Sequence, residues 1–508
     1  MANPLYDALL APHTGKQDAF LIAADGTRTS YDAFLKEIAR MAHALVACGV
    51  TPGSRVAVQV EKSQAALALY GACLQAGAVF LPLNTAYTSA EVAYFVADAE
   101  PALVVCDPSA RDTLASCAKA HQARLECLDR DGKGSFAKLA ERMSDTFQTV
   151  PREIGDTAAI LYTSGTTGRS KGAVLSHRNL LSNALALRDV WRFTAADRLL
   201  HALPIFHVHG LFVATNVMLV AGGSMIFLPR FDVGQVISLL PSATTMMGVP
   251  TFYTRLLGSE AFTRDCARTI RLFVSGSAPL LPATFAEFEA RTGQRILERY
   301  GMTETGMITS NPYEDERRAG SVGFPLPGVS VRIGDPQTGA VLTTGETGVI
   351  EVLGPNVFSG YWRRPDLRDS EFRADGYFIT GDLGLIDADG YVFIVGRAKD
   401  LVISGGLNVY PKEVETLIDG LEGVVESAVF GVPHPDFGEA VMAAVVVAPG
   451  SGVNAERIKA VLAGQLASFK LPKAVFVVEE LPRNTMGKVQ KNALRETYKD
   501  AFHGAAVK

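Results

Sequence analysis

Apolar and polar positions recur along this chain with two different textures, and the change between them divides it. In the first part, stretches of helical spacing alternate with short apolar runs. Ser30 can cap a helix whose apolar face carries Phe34, Ile38 and Leu45. A strand is expected over Arg55 to Val60. Ser63 then opens an apolar helix that ends near Gly77, and Val79 to Leu83 reads as the next strand. Leu103 to Cys106, Ala158 to Tyr162 and Leu272 to Ser275 are further short apolar runs. Strands alternating with helices predict βαβ units and a parallel sheet covered on both faces. Gly210 to Pro229 is apolar enough to resemble a membrane span, but Asn216 and the Gly222-Gly223 break interrupt it. The expectation there is a buried helix, a glycine turn and a short strand from Ser224 to Leu228.

From about Val322 the texture changes. Short strands such as Val349 to Leu353 and Tyr391 to Ile394 are separated by Gly, Pro and Asp, which predicts a more antiparallel, barrel-like region. Beyond the polar segment Gly396 to Leu401, helices are expected over Pro411 to Ile418 and Ala455 to Leu466. Strands are expected over Val425 to Val432, Ala440 to Ala448 and Ala474 to Glu479. The predicted class is therefore α/β. A large N-terminal domain, residues 1–398, combines parallel-type sheets with a barrel-like subdomain. A small C-terminal α+β domain, residues 399–508, follows a hinge.

Bulk properties narrow the function. A chain of 508 residues is too long for one core. A net charge of −5 implies no basic face and argues against nucleic acid as a partner. The six cysteines form no C-x-x-C pair and no zinc spacing, so free thiols in a reducing compartment are expected. The N-terminal stretch lacks a basic region followed by a long apolar core, and it has no arginine before Arg28. No leader, no membrane segment and a cytoplasmic location are the corresponding expectations.

The strongest local signal is Tyr162-Thr-Ser-Gly-Thr-Thr-Gly-Arg-Ser-Lys-Gly172, directly after a buried strand. Gly165 and Gly168 permit tight turns that aim backbone N–H groups at phosphate oxygens. Thr163, Ser164, Thr166 and Thr167 add hydroxyl donors, and Lys171 adds a positive charge. The pattern is not a Walker A loop, which needs Ser or Thr after the lysine.

This loop resembles the AMP-binding signature of the adenylate-forming superfamily, which includes acyl-CoA synthetases. Further markers stand in the family's order: Gly276-Ser-Ala-Pro279, Tyr300-Gly-Met-Thr-Glu304, Tyr377-Phe-Ile-Thr-Gly-Asp382, Gly396-Arg-Ala-Lys-Asp400 and Pro482-Arg-Asn-Thr-Met-Gly-Lys488. The resemblance covers nearly the whole chain. It implies an enzyme that uses ATP, Mg2+ and coenzyme A, activates a carboxylic acid as an acyl-adenylate, and passes the acyl group to the thiol.

The same resemblance implies roles. Glu304 would hold Mg2+, with Thr303 near the α-phosphate; read alone, Glu304 is a solvated residue at a helix start. Ser277, Ala278 and Pro279 would lie against adenine, or merely form a strand-to-helix turn. Glu298, Arg299, Tyr300, Gly301 and Met302 would line the nucleotide. Asp382 would accept from the ribose hydroxyls with Arg397 nearby, or be an ordinary turn residue. Lys488 would bridge the reacting carboxylate and phosphate, with Lys491 as the lysine most easily mistaken for it. Lys399 would mark the hinge, and Gly405 and Gly406 would line the thiol tunnel. Acetylation of Lys488 by a lysine acetyltransferase would cancel its charge.

The acid is read from two segments. His201-Ala-Leu-Pro-Ile-Phe-His-Val-His-Gly210 is rich in histidine, but no third ligand lies near His207 and His209, so a metal site is not expected. The resemblance places His207 and Val208 at the acyl pocket, together with Ser277 and Met302. Arg299 is either in a structural salt bridge or a bidentate grip on a second substrate carboxylate. This segment, with Met-Gly-Val-Pro-Thr-Phe-Tyr253 and Glu298 to Thr305, resembles malonyl-CoA synthetases. That implies malonate, with methylmalonate as a second substrate. The alternative is a short- or medium-chain fatty-acid CoA ligase, which would share every ATP residue and differ at Arg299.

Overall fold

A computed structural model describes residues 2–163, 170–404, 407–435, 437–484 and 487–502. The chain folds into two compact units, one of residues 1–319, 323–330 and 352–378, the other of residues 320–322, 331–351 and 379–508.

The first unit is built on two largely parallel sheets. One runs in the order Arg124–Cys127, Leu103–Cys106, Arg55–Gln59, Val79–Pro82, Thr157–Thr163 and Lys171–Ser176, and only the last strand is antiparallel. Strands such as Leu103–Cys106 are buried along their whole length, as helices on both faces require. Helix Tyr31–Ala47 begins where Ser30 Oγ accepts the Ala33 N–H at 3.2 Å, and helix Gln64–Gln75 begins at the equivalent cap on Ser63.

The other sheet carries Ala19–Ile22, Ser224–Phe227, Arg198–His201, Thr245–Gly248, Leu272–Ser275 and Leu297–Met302 in parallel, with Gly306–Ser310 returning antiparallel. A core of Tyr253, Phe262, Phe273 and Phe288 packs beneath it. The apolar stretch after Gly210 lies in this unit. It forms a π-helical turn, His209–Thr215, that runs into helix Asn216–Ala221, then strand Ser224–Phe227. The wide turn replaces the regular helix that periodicity predicts. Among the described residues no helix is long and apolar enough to cross a membrane.

In the second unit, Phe378–Ile386 and Val392–Arg397 pair antiparallel, and a further sheet follows. Its long strands Val424–His434 and Gly438–Val447 pair antiparallel, with Ala474–Val478 alongside. Alternation decides both faces. Val429, Val441, Ala443 and Val445 pack against Val414, Ile418, Ile458 and Leu462 of two helices. Ala428, Phe430, Val432 and Met442 point the other way, onto Leu481 and Leu494. Helix Ala455–Ala463 stops short of the expected Leu466, with Gly464 at its C-cap. All six cysteines are unbridged.

Candidate active site

In the first unit, strand Thr157–Thr163 ends on Thr163, which pairs in register with Lys171 at the start of the return strand. Ser164, Gly165, Thr166, Thr167 and Gly168 lie outside the described residues. The residues flanking them form a connected polar chain. Lys171 Nζ lies 2.9 Å from Glu371 Oε1 and 4.3 Å from the centre of the Tyr361 ring. Tyr361 donates its hydroxyl to Glu304 Oε1 at 2.9 Å, and Thr163 Oγ1 lies 3.4 Å from the same oxygen. Glu304 is buried, and among the described residues no cluster of three or more His, Cys, Asp or Glu could hold a metal. A lone carboxylate suits Mg2+, which keeps water and phosphate oxygens as its other ligands. Glu304 therefore fits that ion.

The parallel strands Leu272–Ser275 and Leu297–Met302 lie side by side, with Val274 opposite Leu297 and Ser275 opposite Glu298. Loops at the carboxyl ends of such strands are where open α/β sheets place their ligands. Gly276 follows the first strand, and a Cβ there would lie 2.4 Å from Arg299 Cζ, so only glycine lets the guanidinium in. Ser277 holds φ at +72°, a left-handed conformation that costs a serine about 1–3 kcal/mol. Ala278 and Pro279 continue the loop, and the Leu280 N–H donates to Glu298 Oε1 at 3.1 Å. Tyr300 is buried. A Cβ at Gly301 would lie 2.2 Å from the Gly306 carbonyl, so glycine permits the tight hairpin that presents Met302, Thr303 and Glu304.

Arg299 is 2% exposed. It has no ion-pair partner among the described residues, and its Nε and Nη2 have no hydrogen-bond partner there. Burial pushes its guanidinium down to about 9, only partly offset by Tyr253 and Glu298. A structural salt bridge, one of the two readings of this residue, is absent among the described residues.

Val208 is buried, and the His209 N–H donates to His207 Nδ1 at 3.3 Å. His209, dismissed as a metal ligand on spacing, is 1% exposed, and its Nδ1 lies 3.3 Å from Ser277 Oγ. Spacing along one chain carries no sign of that contact. Tyr361 and Glu371 also escape a motif-based reading, since neither sits in one of the signature segments.

In the second unit, Asp382 and Arg397 face each other across the antiparallel pair, Nε to Oδ1 at 2.6 Å. Lys399 sits in the 3-10 turn Ala398–Asp400. Gly405 and Gly406 lie outside the described residues. Lys488 is exposed on a short hairpin in which its N–H donates to Asn484 Oδ1 at 2.9 Å and the Asn484 N–H donates to its carbonyl at 2.9 Å. Surrounding protein and then the Arg397 guanidinium push its ammonium down to about 8, while Asp382 opposes the shift. Among the described residues Lys488 has no ion-pair partner, whereas Lys491 is held on Glu415 Oε1 at 2.5 Å.

Comparison with known proteins identifies the family of the chain. The AMP-binding enzyme family matches residues 11–362, and the AMP-binding enzyme C-terminal domain matches residues 413–488. The ATP-bound MatB structure from Rhodopseudomonas palustris is 57% identical, covers 99% of this chain and 100% of its own, and superposes with a TM-score of 0.97. A malonate–CoA ligase of Arabidopsis thaliana is 34% identical over 88% of this chain and 79% of its own length. A feruloyl-CoA synthase of an Amycolatopsis species is 35% identical over 97% and 98%.

Proposed function

The chain belongs to the AMP-binding enzyme family, and we propose that the acid it activates is malonate, with methylmalonate as a second substrate. It is an AMP-forming acyl-CoA ligase that uses ATP, Mg2+ and coenzyme A. The observation that carries the choice of acid is Arg299. A buried guanidinium without a partner is costly, and burial of a lone charge is tolerated where a ligand supplies the counter-charge. A dicarboxylate supplies it through its second carboxylate, in the bidentate geometry that guanidinium favours. A fatty acid would leave the charge stranded. Val208 and Met302 bound the space beside the central carbon, and His207 stands at the edge of the pocket.

In this reading one carboxylate oxygen of malonate bonds to the α-phosphorus of ATP and diphosphate leaves. The thiolate of coenzyme A then attacks the acyl carbon, and AMP leaves. Thr163, Lys171 and the phosphate loop between them bind the phosphates, and Thr303 lies by the α-phosphate. Mg2+ held at Glu304 supplies charge neutralisation on the phosphates. Ser277, Ala278, Pro279 and the Glu298 to Met302 strand take the base, and Asp382 with Arg397 takes the ribose. Lys488 is the cation that offsets charge at the reacting centre. Lys399 is the hinge, and Gly405 and Gly406 line the path of the thiol.

The test is AMP release with coenzyme A and a panel of malonate, methylmalonate, acetate, butyrate and octanoate, run on the native enzyme and on Arg299→Met. Turnover led by malonate and lost in the variant is expected. Turnover led by a monocarboxylate and unaffected in the variant would make the protein a short- or medium-chain fatty-acid ligase and Arg299 a structural residue.

A further inference from the structure

Arg299 is not alone in lacking a partner. His209 Nε2 is buried and also has no hydrogen-bond partner among the described residues. Both groups are fixed by one short loop. Gly276 lies against the Arg299 guanidinium, and the next residue, Ser277, brings its hydroxyl to His209 Nδ1 at 3.3 Å. A buried polar group left unsatisfied is costly, so two beside one loop call for a ligand that satisfies both.

The chemistry of the imidazole follows from its surroundings. Burial first, and the Arg299 charge next, hold its pKa well below the usual histidine value, with His207 and His201 acting in the same direction. The ring is therefore neutral and carries one N–H. A Ser277 hydroxyl that donates to Nδ1 leaves that proton on Nε2. Ser277 holds a left-handed backbone with its Oγ 3.3 Å from Nδ1. His209 also opens the π-helical turn, a distortion that frequently marks functional positions.

We propose that His209 is a second, uncharged hydrogen-bond donor to the distal carboxylate of the acid substrate, beside Arg299, with Ser277 as the positioning residue that sets its tautomer. This rests on the malonate reading. The pair offers one positive charge and one neutral donor, matched to a single carboxylate. It disfavours acids whose far end is neutral, since both donors would then stay unsatisfied.

The test compares His209→Leu, which removes the donor, with His209→Gln, which returns an N–H at the position of Nε2. His209→Leu is expected to raise the KM for malonate about 10- to 100-fold, the range for one hydrogen bond to a charged group. The KM for ATP should hold, and an unchanged melting temperature shows that the variant is folded. His209→Gln should recover to within about fivefold of the native enzyme. On the native protein labelled with 15N-histidine, the His209 Nε2–H resonance should move downfield when malonate is added with AMP. An unchanged malonate KM in His209→Leu, or a proton found on Nδ1, overturns the role of His209 while a defective Arg299→Met still upholds malonate. A native enzyme that prefers butyrate overturns both.

Discussion

The polar groups of the residues proposed to handle the nucleotide and those of the proposed acid pocket are prepared in opposite ways. Lys171 rests on Glu371, Tyr361 holds Glu304, and Arg397 is paired with Asp382 within its own unit. In the proposed acid pocket Arg299 and His209 are more deeply buried than Glu371 or Arg397 and, among the described residues, keep polar atoms unsatisfied. The first arrangement exchanges one partner for another when a highly charged ligand binds, so the free protein stays satisfied. The second stores the cost of an unmet charge and recovers it only with a ligand of matching charge and shape. Discrimination is strongest there, because the wrong acid leaves the pocket unsatisfied.

The sharpest way to break this contrast is Arg299→Met. Loss of one partner of a buried charge pair costs about 2–5 kcal/mol, so kcat/KM for malonate should fall on the order of 10^3-fold. Butyrate should gain relative to malonate. An equal loss on both acids would mean that Arg299 supports the fold and not the choice of acid.

The two lysines near the C-terminus repeat the contrast on a second scale. Lys488→Ala should slow adenylate formation by about 10^2- to 10^3-fold, the cost of one lost charge-stabilising donor, as read by pyrophosphate exchange. Lys491→Ala should leave that rate within about threefold and lower the melting temperature instead, because Glu415 loses its partner inside the fold. The reverse outcome would move the catalytic cation to Lys491.

The pH profile gives a smaller effect. In the role proposed for Lys488 the active form is the ammonium, and its pKa is pushed down to about 8. The cation is fully present below that pH and lost above it. Adenylation should therefore decline as pH rises through about 8, by roughly tenfold per unit once well above it. Lys488→Arg should flatten that decline whatever its absolute rate. The smallest effect concerns Glu371, which on the proposed role of Lys171 competes with ATP for it. Glu371→Gln should lower the KM for ATP by about two- to fivefold, since a partly exposed ion pair is worth little. A raised KM would mean that Glu371 orients the lysine and does not compete for it.

Much of the architecture was legible in local pattern. Ser30 and Ser63 cap the helices expected from them, and the strands at Arg55, Val79, Leu103 and Leu272 begin where the apolar runs begin. These features depend on neighbours in the chain and on strict burial periods. The deviations have local causes of another kind. The π-helical turn at His209 comes with a backbone packed so tightly that a Cβ at Gly210 would lie 2.0 Å from the Pro204 carbonyl. The helix that periodicity extends to Leu466 ends at Ala463, with Gly464 at its C-cap.

The chain by itself determined the order of its elements, the class of fold and the signature segments that mark an AMP-forming ligase. Residue types, turn glycines and apolar spacing act over a few neighbours, so they can be read in one dimension. Which polar groups are satisfied and which are left waiting was decided only by tertiary structure. Arg299 could equally have met a carboxylate within the protein, and Lys491 could have been the unpaired lysine. The answer depended on which strands stand side by side, because hydrogen bonds and ion pairs form between residues up to hundreds of positions apart. The acid pocket owes its chemistry to that long-range accounting, with Gly276 and Ser277 bringing together two side chains that lie 90 positions apart, His209 and Arg299.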